Sequence, residues 1–269
     1  MYKRQLLEAV CGTDRNDLLV HGEQPVAPEA EEKYLNWIRQ RAEHIPLQQL
    51  TGEQGFMGLT FNVNEHVLIP RQDTEILVEE VLKELHDGMR VLDMCTGSGC
   101  ILLSLLHYSN DCEGLGVDLS AEALEVAGRN VLKVLTPEKA EHAHFLQSDL
   151  FEKVEGKFEI IVSNPPYIAS AEVEKLMPEV RDHEPRMALD GTEDGLYFYR
   201  RIIEEAGKHL VSSGMLFFEI GYDQGQAVSE LMRTEGYCEV QVVQDYAGLD
   251  RVVFGTYVTV QPAPFAKSR

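Results

Sequence analysis

Apolar residues in the first 50 positions recur every three or four residues, which is the spacing of amphipathic helices. Pro28 suits the first turn of a helix, and the acidic residues behind it favour the positive end of the helix dipole. Pro46 ends this stretch, because its ring interrupts helical hydrogen bonding. The pattern predicts three helices: one carrying Leu6, Leu7 and Val10, a short one that ends at Leu18–Val20 after Asp14, and one from Pro28 to His44.

The pattern changes to that of strands over residues 51–72. Apolar and polar residues alternate across 59–63, and glycines punctuate the stretch before them. We therefore predict a β-hairpin that joins the helical N-terminal part to the rest of the chain. A helix follows and continues to Leu82, with Asp73 or Thr74 as its predicted N-terminal cap.

Strand and helix patterns alternate from residue 89 onward. Such alternation predicts a parallel sheet covered by helices on both faces. Strands are predicted at 90–94, 113–117, 143–147, 158–163, 214–220, 238–243 and 251–258, of which the last two are close enough to pair antiparallel. Helices are predicted at 100–108, 120–133, 195–210 and 223–235.

Composition and charge narrow the function classes. Hydrophobic residues make up 44% of the 269 residues and charged residues 26%, which is the balance of an ordinary globular protein. The formal net charge is -21; residues 1–50 carry 8 acidic and 6 basic side chains, so about -19 belongs to residues 51–269. Because such a surface repels polyphosphate, we expect no stable binding to nucleic acid.

Neither metal ligands nor membrane-directed segments are apparent. The five cysteines form no CxxC pair and the nine histidines no HExxH motif, so we expect no metal site. The N-terminal residues lack the apolar core of a signal peptide, and no stretch approaches the roughly 18 apolar residues of a membrane span. We expect a cytoplasmic protein that does not bind membranes.

The segment VLDMCTGSGC, residues 91–100, has the pattern of a ligand-binding turn. An apolar strand ends at Asp93, and a turn with two glycines leads into the next helix. Glycine lets the backbone approach a ligand closely, and the helix N-terminus offers unpaired N–H groups. A strand-to-helix turn without a ligand would show the same pattern. The cofactor-binding candidates here are Asp93, Cys95, Thr96, Gly97, Ser98 and Gly99.

Two further carboxylates follow the next strands. Asp118 lies 21 residues beyond Gly97 and can accept hydrogen bonds from both hydroxyls of a ribose, and Asp149 ends the third strand. One such aspartate could be only a helix cap, but three at successive strand ends share the ligand-binding edge of an α/β sheet. The full GxGxxG fingerprint is absent, because its third position is Leu102, which favours an adenosine cofactor other than NAD.

The most specific segment is Asn164-Pro165-Pro166-Tyr167, which ends the fourth strand. Two prolines cannot continue a central strand, and they stiffen the turn where the chain leaves the sheet. The Asn164 side-chain oxygen and the Pro165 carbonyl are acceptors beside an aromatic wall from Tyr167. A planar –NH2 group needs two such acceptors, which can orient its nitrogen and stabilise charge as it is alkylated. We predict Asn164, Pro165 and Tyr167 as catalytic, and all four residues as substrate-binding.

These segments resemble the class I methyltransferases that use S-adenosylmethionine. The resemblance implies that Asp118 binds the ribose and Asp149 the adenine, with Leu150 as an apolar face, and it adds Asn164 to the cofactor-binding residues. The Asn-Pro-Pro-Tyr motif is shared by enzymes that methylate amines of adenine or guanine and by enzymes that methylate glutamine amides. The motif alone therefore leaves the substrate open.

Segments outside the core resemble the HemK/PrmC family, whose members methylate the glutamine of the Gly-Gly-Gln motif in peptide-chain release factors. The similarity runs from about residue 45 to 258 and is carried by residues 45–82, 183–196 and 216–228. Cys95 stands where the family has glycine, so we expect the backbone there to avoid a conformation that only glycine adopts. Four matching residues either brace two domains or contact substrate: Arg71, Glu75, Glu184 and Pro185.

The resemblance implies an α/β fold: a seven-stranded, Rossmann-like class I methyltransferase core with a small helical N-terminal domain and a β-hairpin linker. We predict a helical substrate-recognition domain at 1–50, a hairpin and linker helix at 51–85, and a methyltransferase domain at 86–269. The implied reaction transfers a methyl group from S-adenosyl-L-methionine to the side-chain amide nitrogen of the release-factor glutamine. We expect a monomer that acts on this protein substrate.

Three alternatives remain open from the residues. A nucleic-acid exocyclic-amine methyltransferase would use the same Asn-Pro-Pro-Tyr site, but the charge of residues 51–269, about -19, disfavours it. A non-catalytic cofactor-binding or scaffold protein would have no use for a rigid pair of acceptors. An NAD oxidoreductase is disfavoured by Leu102 and by the absence of an acid/base constellation for hydride transfer.

Overall fold

The N-terminal part of the chain forms four helices. The computed structural model describes residues 2–258, so the outer ends of the predicted domains, at 1 and 259–269, lie outside the described residues. The helices are α1 (Tyr2–Cys11), α2 (Arg15–Val20), α3 (Pro28–Ala42) and α4 (Leu47–Thr51). Asp14 caps α2 by accepting hydrogen bonds from two backbone N–H groups. The three predicted helices are confirmed. The helix α4 was not predicted, because its five residues are too few to show a helical period.

The predicted hairpin is confirmed. It pairs β1 (Glu53–Phe56) with β2 (Leu59–Asn62) in antiparallel register. Phe56 and Phe61 are both buried and meet edge to face, with ring centroids 6.0 Å apart. The hairpin is therefore anchored through one apolar side.

Helix α5 (Asp73–Glu84) follows the hairpin, but its predicted cap is wrong. Gln72 precedes the first turn, no side chain caps that end, and Asp73 and Thr74 lie inside the helix. Their side chains are engaged elsewhere: Asp73 forms an ion pair with Arg251 at 3.4 Å, and Thr74 contacts Asn164. These side chains therefore bind distant residues and do not cap the helix.

Seven strands form one sheet: β3 (Arg90–Met94), β4 (Glu113–Asp118), β5 (Ala143–Gln147), β6 (Phe158–Ser163), β7 (Leu210–Glu219), β8 (Tyr237–Gln244) and β9 (Asp250–Tyr257). Their order is β5-β4-β3-β6-β7-β9-β8. The first five are parallel to one another, and β9 is antiparallel to β7 and to β8. All seven predicted strands and the antiparallel pairing of the last two are confirmed. β7 begins four residues before the predicted 214, at the end of the predicted helix 195–210.

The helices that follow are α6 (Cys100–Tyr108), α7 (Ala121–Val134), α8 (Pro137–Ala140), α9 (Ser170–Val173), α10 (Pro178–Arg181), α11 (Tyr197–Ala206) and α12 (Gly225–Thr234). The longer ones, together with α5, cover both faces of the sheet. Successive residues of a strand point to opposite faces. Val91 and Phe217 therefore pack in one buried cluster with residues of α5 and α6. Leu92 and Phe218 pack in a second cluster with residues of α11 and α12. The predicted α/β class is confirmed.

The parallel strands β3 to β6 all end at the same edge of the sheet, which is where ligands bind in open α/β folds. The predicted site residues lie at the ends of these strands or in the turns that follow them. Across residues 2–258, no helix has the length and apolar character needed to cross a membrane.

Candidate active site

A cavity of about 220 Å³ lies at the carboxyl ends of β3 to β6. Nine of the predicted site residues line it: Cys95, Thr96, Gly97, Ser98, Asp118, Asp149, Leu150, Asn164 and Pro166. The other four, which stand behind or beside its walls, are Asp93, Gly99, Pro165 and Tyr167. The fold therefore gathers three strand-end turns and the Asn-Pro-Pro-Tyr turn around one space.

The glycine-rich turn after β3 is built from local hydrogen bonds and two left-handed glycines. Gly97 and Gly99 have φ angles of +55° and +77°. A side chain at Gly99 would press on Ala127 and Leu103, each 3.2 Å from its Cβ, so this glycine lets α6 pack closely against α7. The Gly97 N–H donates to the Asp118 carboxylate at 2.9 Å, which ties this turn to the next strand.

The backbone conformation at Cys95 differs from the one expected from the sequence. Its φ angle is +64°, in the left-handed region that favours glycine, so the backbone keeps the conformation we expected it to avoid. A non-glycine residue is strained there. The Cys95 side chain lines the cavity and packs against the second buried cluster, which offsets part of that strain.

Asp93 is completely buried behind the turn. Its Oδ2 accepts a hydrogen bond of 2.6 Å from the Thr96 hydroxyl, whereas its Oδ1 has no partner of good hydrogen-bond geometry within residues 2–258. Removal from water raises the pKa of the Asp93 carboxyl to about 7, and the Thr96 hydrogen bond opposes this rise. Asp93 is thus a buried acid with one unsatisfied oxygen at the base of the turn.

Asp118 and Asp149 reach the cavity with different partners. Asp118 accepts 2.9 Å hydrogen bonds from the backbone of Ser120 and Gly97; burial raises the pKa of its carboxyl, and these bonds oppose the rise. Asp149 is more exposed and pairs with Arg201 of α11 at 2.9 Å. Leu150, next to it, is buried and lines the cavity.

The Asn-Pro-Pro-Tyr turn lies between the cavity and a second, open depression. Asn164 lines the cavity, and its Nδ2 donates to the Thr74 hydroxyl at 3.4 Å. Within the described chain, neither the Asn164 Oδ1 nor the Pro165 carbonyl accepts a hydrogen bond from the protein. Both predicted acceptors therefore keep their lone pairs for another molecule.

Tyr167 faces the second depression rather than the cavity. The residues around this depression come from the N-terminal part, the hairpin, the linker, α5 and the Asn-Pro-Pro-Tyr turn: Gln48, Gln54, Ile69, Pro70, Arg71, Gln72, Asp73 and Tyr167. The Tyr167 hydroxyl donates to the Glu219 carboxylate at 3.2 Å. Burial and the neighbouring Glu219 charge raise the pKa of this phenol above its usual range, so Tyr167 stays protonated.

Arg71 and Glu75 of the linker form contacts with other segments of the chain. The buried Glu184 carboxylate pairs with Arg71 at 2.5 Å and accepts the backbone N–H of Ile69 at 3.2 Å. Glu75 accepts the backbone N–H of Met57 in the hairpin turn at 2.7 Å. Arg71 also lines both the cavity and the second depression, so its ion pair holds the linker at the junction of the two.

Sequence reasoning missed several residues of the site. Ser120, which caps α7 and binds Asp118, stands in the same strand-end segment and could have been included on that ground. Arg201 and Phe198 lie on α11, where an amphipathic pattern gave no sign that they reach Asp149 or the cavity. Thr74 looked like a helix cap, and nothing in its neighbourhood in the sequence indicates its contact with Asn164.

Among residues 2–258, no group of three or more histidine, cysteine, aspartate or glutamate side chains is placed to hold a metal ion. The sheet order, the cavity at its carboxyl edge and the Asn-Pro-Pro-Tyr turn together define a class I methyltransferase fold and site. The class follows from the fold and the site together, because the sheet alone is shared with other nucleotide-binding proteins.

Comparison with known proteins gives the family. The chain matches the family models for the PrmC N-terminal domain over residues 4–52 and for the methyltransferase small domain over residues 71–180. A protein named release factor glutamine methyltransferase from Clostridium acetobutylicum is 42% identical, with 92% of this chain and 88% of that protein covered. One of the same name from Geobacter sulfurreducens is 41% identical, with 93% and 87% covered. This chain belongs to the release factor glutamine methyltransferase family, and it is an enzyme.

A solved structure agrees with the fold. The crystal structure of a methyltransferase from Pyrococcus furiosus matches with a TM-score of 0.54 and 18% identity, covering 75% of this chain and 90% of that one. At such low identity the likeness bears on the fold alone, and it supports the class I architecture of the sheet.

Proposed function

We propose that this enzyme transfers a methyl group from S-adenosylmethionine to the side-chain amide nitrogen of the glutamine in the Gly-Gly-Gln motif of peptide-chain release factors. One observation carries the proposal: the turn Asn164–Tyr167 separates a cavity lined by strand-end acids from a second, open depression. A glutamine side chain can enter from the depression while the cofactor occupies the cavity.

The residues of the cavity fit this cofactor. Asp93, completely buried behind the glycine-rich turn, would hold that turn for the methionine part of the cofactor through its hydrogen bond with Thr96. Each Asp118 oxygen accepts one backbone N–H and keeps a lone pair for a ribose hydroxyl. Asp149 and Leu150 supply a polar edge and an apolar face for the adenine. When bound, the cofactor supplies an electrophilic methyl group on a sulfonium.

The Asn164–Tyr167 turn, called the acceptor turn below, binds and orients the amide. Asn164 Oδ1 and the Pro165 carbonyl each accept one hydrogen of the –NH2 group, which fixes the direction of the nitrogen. An amide nitrogen is a poor nucleophile because its lone pair is delocalised. The two fixed acceptors stabilise the positive charge that develops on it as the nitrogen–methyl bond forms and the methyl–sulfur bond breaks, and the nitrogen then loses one proton to solvent. No covalent enzyme intermediate is required.

Methylation of a nucleic-acid amine is not favoured. Such an enzyme needs a basic approach to its site, whereas residues 51–269 carry a charge of about -19. Relatives about 40% identical over most of the chain carry the release-factor name.

Within the same proposal, residues 1–50 recognise the substrate, 51–85 link the parts and 86–269 carry the chemistry. Support comes from the family-model boundary at residue 52 and from contacts between the two parts. Arg41 pairs with Glu179, and the Gln49 side chain donates to the His183 carbonyl at 2.7 Å. We further infer a monomer that acts in the cytoplasm and forms no stable complex with nucleic acid.

The test is incubation with labelled S-adenosylmethionine and purified release factor, followed by peptide mass mapping. We expect one methyl group on the Gly-Gly-Gln glutamine. A short Gly-Gly-Gln peptide should react far more slowly than folded release factor, because only the whole protein offers a docking surface. Comparable rates on the peptide, or robust methylation of bare DNA or RNA, would contradict the proposal.

A further inference from the structure

A glutamine side chain behind the acceptor turn joins three segments that meet there. Gln224 directly precedes the first turn of α12, but its side chain does not cap that helix. Its Nε2 donates to the Tyr167 carbonyl at 3.0 Å and to the Gly195 carbonyl at 3.3 Å, and its Oε1 accepts the Gly221 N–H at 2.9 Å. One half-buried side chain therefore connects the acceptor turn, the segment before α11 and the turn after β7.

The partners of Gln224 fix the orientation of its amide. A backbone N–H can only donate and a carbonyl can only accept. Turning the amide over would place its oxygen against two carbonyls and its –NH2 group against an N–H, so one orientation alone satisfies all three partners. The Tyr199 hydroxyl, 3.4 Å from Oε1, is closer to the Glu219 carbonyl, to which it donates at 2.9 Å. The position therefore needs an acceptor and two donor hydrogens, which glutamine has and glutamate or methionine lacks.

The acceptor turn offers few main-chain groups by which the protein can hold it. Pro165 and Pro166 have no N–H to donate, and the Pro165 carbonyl has to stay free for the substrate. Within the described residues, the Tyr167 carbonyl is the main-chain group of this turn that forms a hydrogen bond, and Gln224 is its donor. The contact with Gln224 therefore ties the main chain of the acceptor turn to the rest of the site.

The segment before α11 lies directly against the back of the acceptor turn. Ile168, the next residue after the turn, forms two main-chain hydrogen bonds with residues 189–191. A Cβ at Gly195 would overlap the Tyr167 carbonyl oxygen and would lie 2.8 Å from Gln224 Nε2, so only glycine allows this approach. The turn and the segment thus meet main chain to main chain, and Gln224 bonds to a carbonyl of each.

We propose that Gln224 is a positioning residue for methyl transfer, which fixes the acceptor turn through the Tyr167 carbonyl. The two proline rings stiffen the turn, so a displacement of its Tyr167 end is passed on to the Asn164 amide and the Pro165 carbonyl. Gln224 itself lines neither the cavity nor the second depression. The inference rests on the proposed function, because the acceptors that it places are those assigned to the glutamine amide of the substrate.

Gln224→Met is the decisive variant, because it keeps the length of the side chain and removes its acceptor and both donors. Since a misplaced reacting group can cost about 10²-fold, we expect kcat to fall roughly 10- to 100-fold. The cofactor affinity and the KM for release factor should change less than about threefold, because Gln224 lines neither binding space and acts on orientation alone.

Gln226→Met is the matched control, because it makes the same substitution on the same helix. Gln226 is exposed, and its side chain donates only to Glu230 of α12, at 2.9 Å. Compared at equal fractions of folded protein, this variant should keep the wild-type kcat. A Gln224→Met kcat within about threefold of wild type, or an equal loss in both variants, would overturn the inference.

Gln224→Glu tests the donated hydrogen bond itself. The ionised carboxylate has no hydrogen for the Tyr167 carbonyl, whereas the protonated acid donates one. The ratio of its kcat to the wild-type kcat at the same pH should therefore rise about twofold or more as the pH falls from about 8 to about 5. Comparison at the same pH removes the effect of neighbouring carboxyls that both proteins share: Glu219, Asp223 and Asp250. A ratio that stays constant or falls would contradict the role of the donor.

A readout without turnover separates this inference from the proposed function. Tyr167–Ile168 is the single Tyr-Ile pair in the sequence, so ¹³C in tyrosine carbonyls and ¹⁵N in isoleucine give one correlated NMR signal for the Tyr167 carbonyl. This signal should move in Gln224→Met and stay in place in Gln226→Met. If wild type fails to methylate release factor while the signal moves, the proposed function is wrong and the hold on the turn stands. If wild type methylates it and the signal stays in place, Gln224 does not hold the acceptor turn.

Discussion

The two halves of the site are assembled in different ways. The cofactor half comprises Asp93, the turn 95–99, Asp118 and Asp149, and it combines local and longer-range hydrogen bonds. Thr96 binds Asp93 three residues away and Ser120 binds Asp118 two residues away, while the Gly97 N–H reaches Asp118 across 21 residues. In the acceptor half, Asn164–Tyr167, every side-chain partner is distant. Asn164 meets Thr74 across 90 residues, and Tyr167 meets Glu219 across 52.

Because of this difference, we expect the two halves to respond differently to substitution. A local turn keeps its geometry as long as its own segment folds, whereas the acceptor turn depends on the positions of the linker, of β7 and of α12. Substitutions in the cofactor half should therefore act mainly on binding and on stability. Substitutions around the acceptor half should act on turnover. Two contacts of the cofactor half are exceptions: the partner of Asp149, Arg201, lies 52 residues away, and the Gly97–Asp118 hydrogen bond spans 21 residues.

The largest expected effect is that of Asn164→Ala on turnover. Removing one preorganised polar partner typically lowers kcat by roughly 10²–10³, and we expect a loss of that size here. Cofactor affinity should fall much less, because the ribose and adenine contacts are assigned to Asp118 and Asp149. Asn164→Asp keeps an acceptor oxygen and should retain more activity than Asn164→Ala.

Steady-state kinetics with folded release factor, alongside calorimetric cofactor binding, measures both quantities. The exposed Asn110 provides a matched asparagine-to-alanine control that should leave kcat unchanged. Wild-type turnover in both Asn164 variants would remove the acceptor half from the reaction. Equal losses of turnover and cofactor affinity would instead place Asn164 in the cofactor half.

The second prediction concerns Asp93 and the pH dependence of stability. Its folded-state pKa, raised to about 7 by burial, exceeds the ordinary value of 3.8. The folded state therefore binds the proton more tightly, so this group favours folding below pH 3.8 and loses that contribution as the pH rises towards 7. Asp93→Asn removes the titration, so its stability relative to wild type should rise by roughly 3 kcal/mol between pH 5 and pH 8.

Urea unfolding of both proteins at several pH values measures this difference. Thr96 can still donate to the amide oxygen of the substituted side chain, so the turn keeps that hydrogen bond. Parallel stability curves for the two proteins would show that Asp93 does not titrate in this range. Burial of Asp93 would then not be a source of pH-dependent stability in the cofactor half.

The third prediction sharpens the binding role of the cofactor half. Asp118→Ala should weaken S-adenosylmethionine binding by about 1.5–3 kcal/mol, because charge-assisted hydrogen bonds are removed. Calorimetry of the folded variant measures the change, with the exposed Asp111→Ala as the matched control. Since the acceptor half is untouched, kcat at saturating cofactor should remain near wild type. An unchanged affinity would remove Asp118 from the cofactor site.

The smallest expected effect concerns the strained residue of the cofactor half. At Cys95, with φ at +64°, glycine is relaxed and alanine is not. Cys95→Gly and Cys95→Ala both remove the sulfur, so their difference isolates the backbone. We expect Cys95→Gly to be more stable than Cys95→Ala by about 1 kcal/mol in urea unfolding. Equal stability would mean that the turn relaxes out of the left-handed region.

The fold was predictable from sequence to the extent that it depends on local periodicity. Central strands such as β3 and β6 are short apolar runs buried on both faces, and most helices show apolar residues every three to four positions; both signals lie within single segments. The short α4 and the early start of β7 were missed because a few residues carry no period. The cap of α5 was mispredicted because Asp73 and Thr74 bind distant residues instead.

The sequence by itself determined which residue types stand at the strand ends: the acids, the glycine-rich turn and the Asn-Pro-Pro-Tyr segment. It also placed them at one edge, because parallel strands of one sheet end together. Only the tertiary structure decided which partner each of them meets, such as Arg201 for Asp149 and Glu219 for Tyr167. The physical reason is that a side-chain hydrogen bond depends on a distance of about 3 Å, which the sequence does not encode between segments 50 to 100 residues apart.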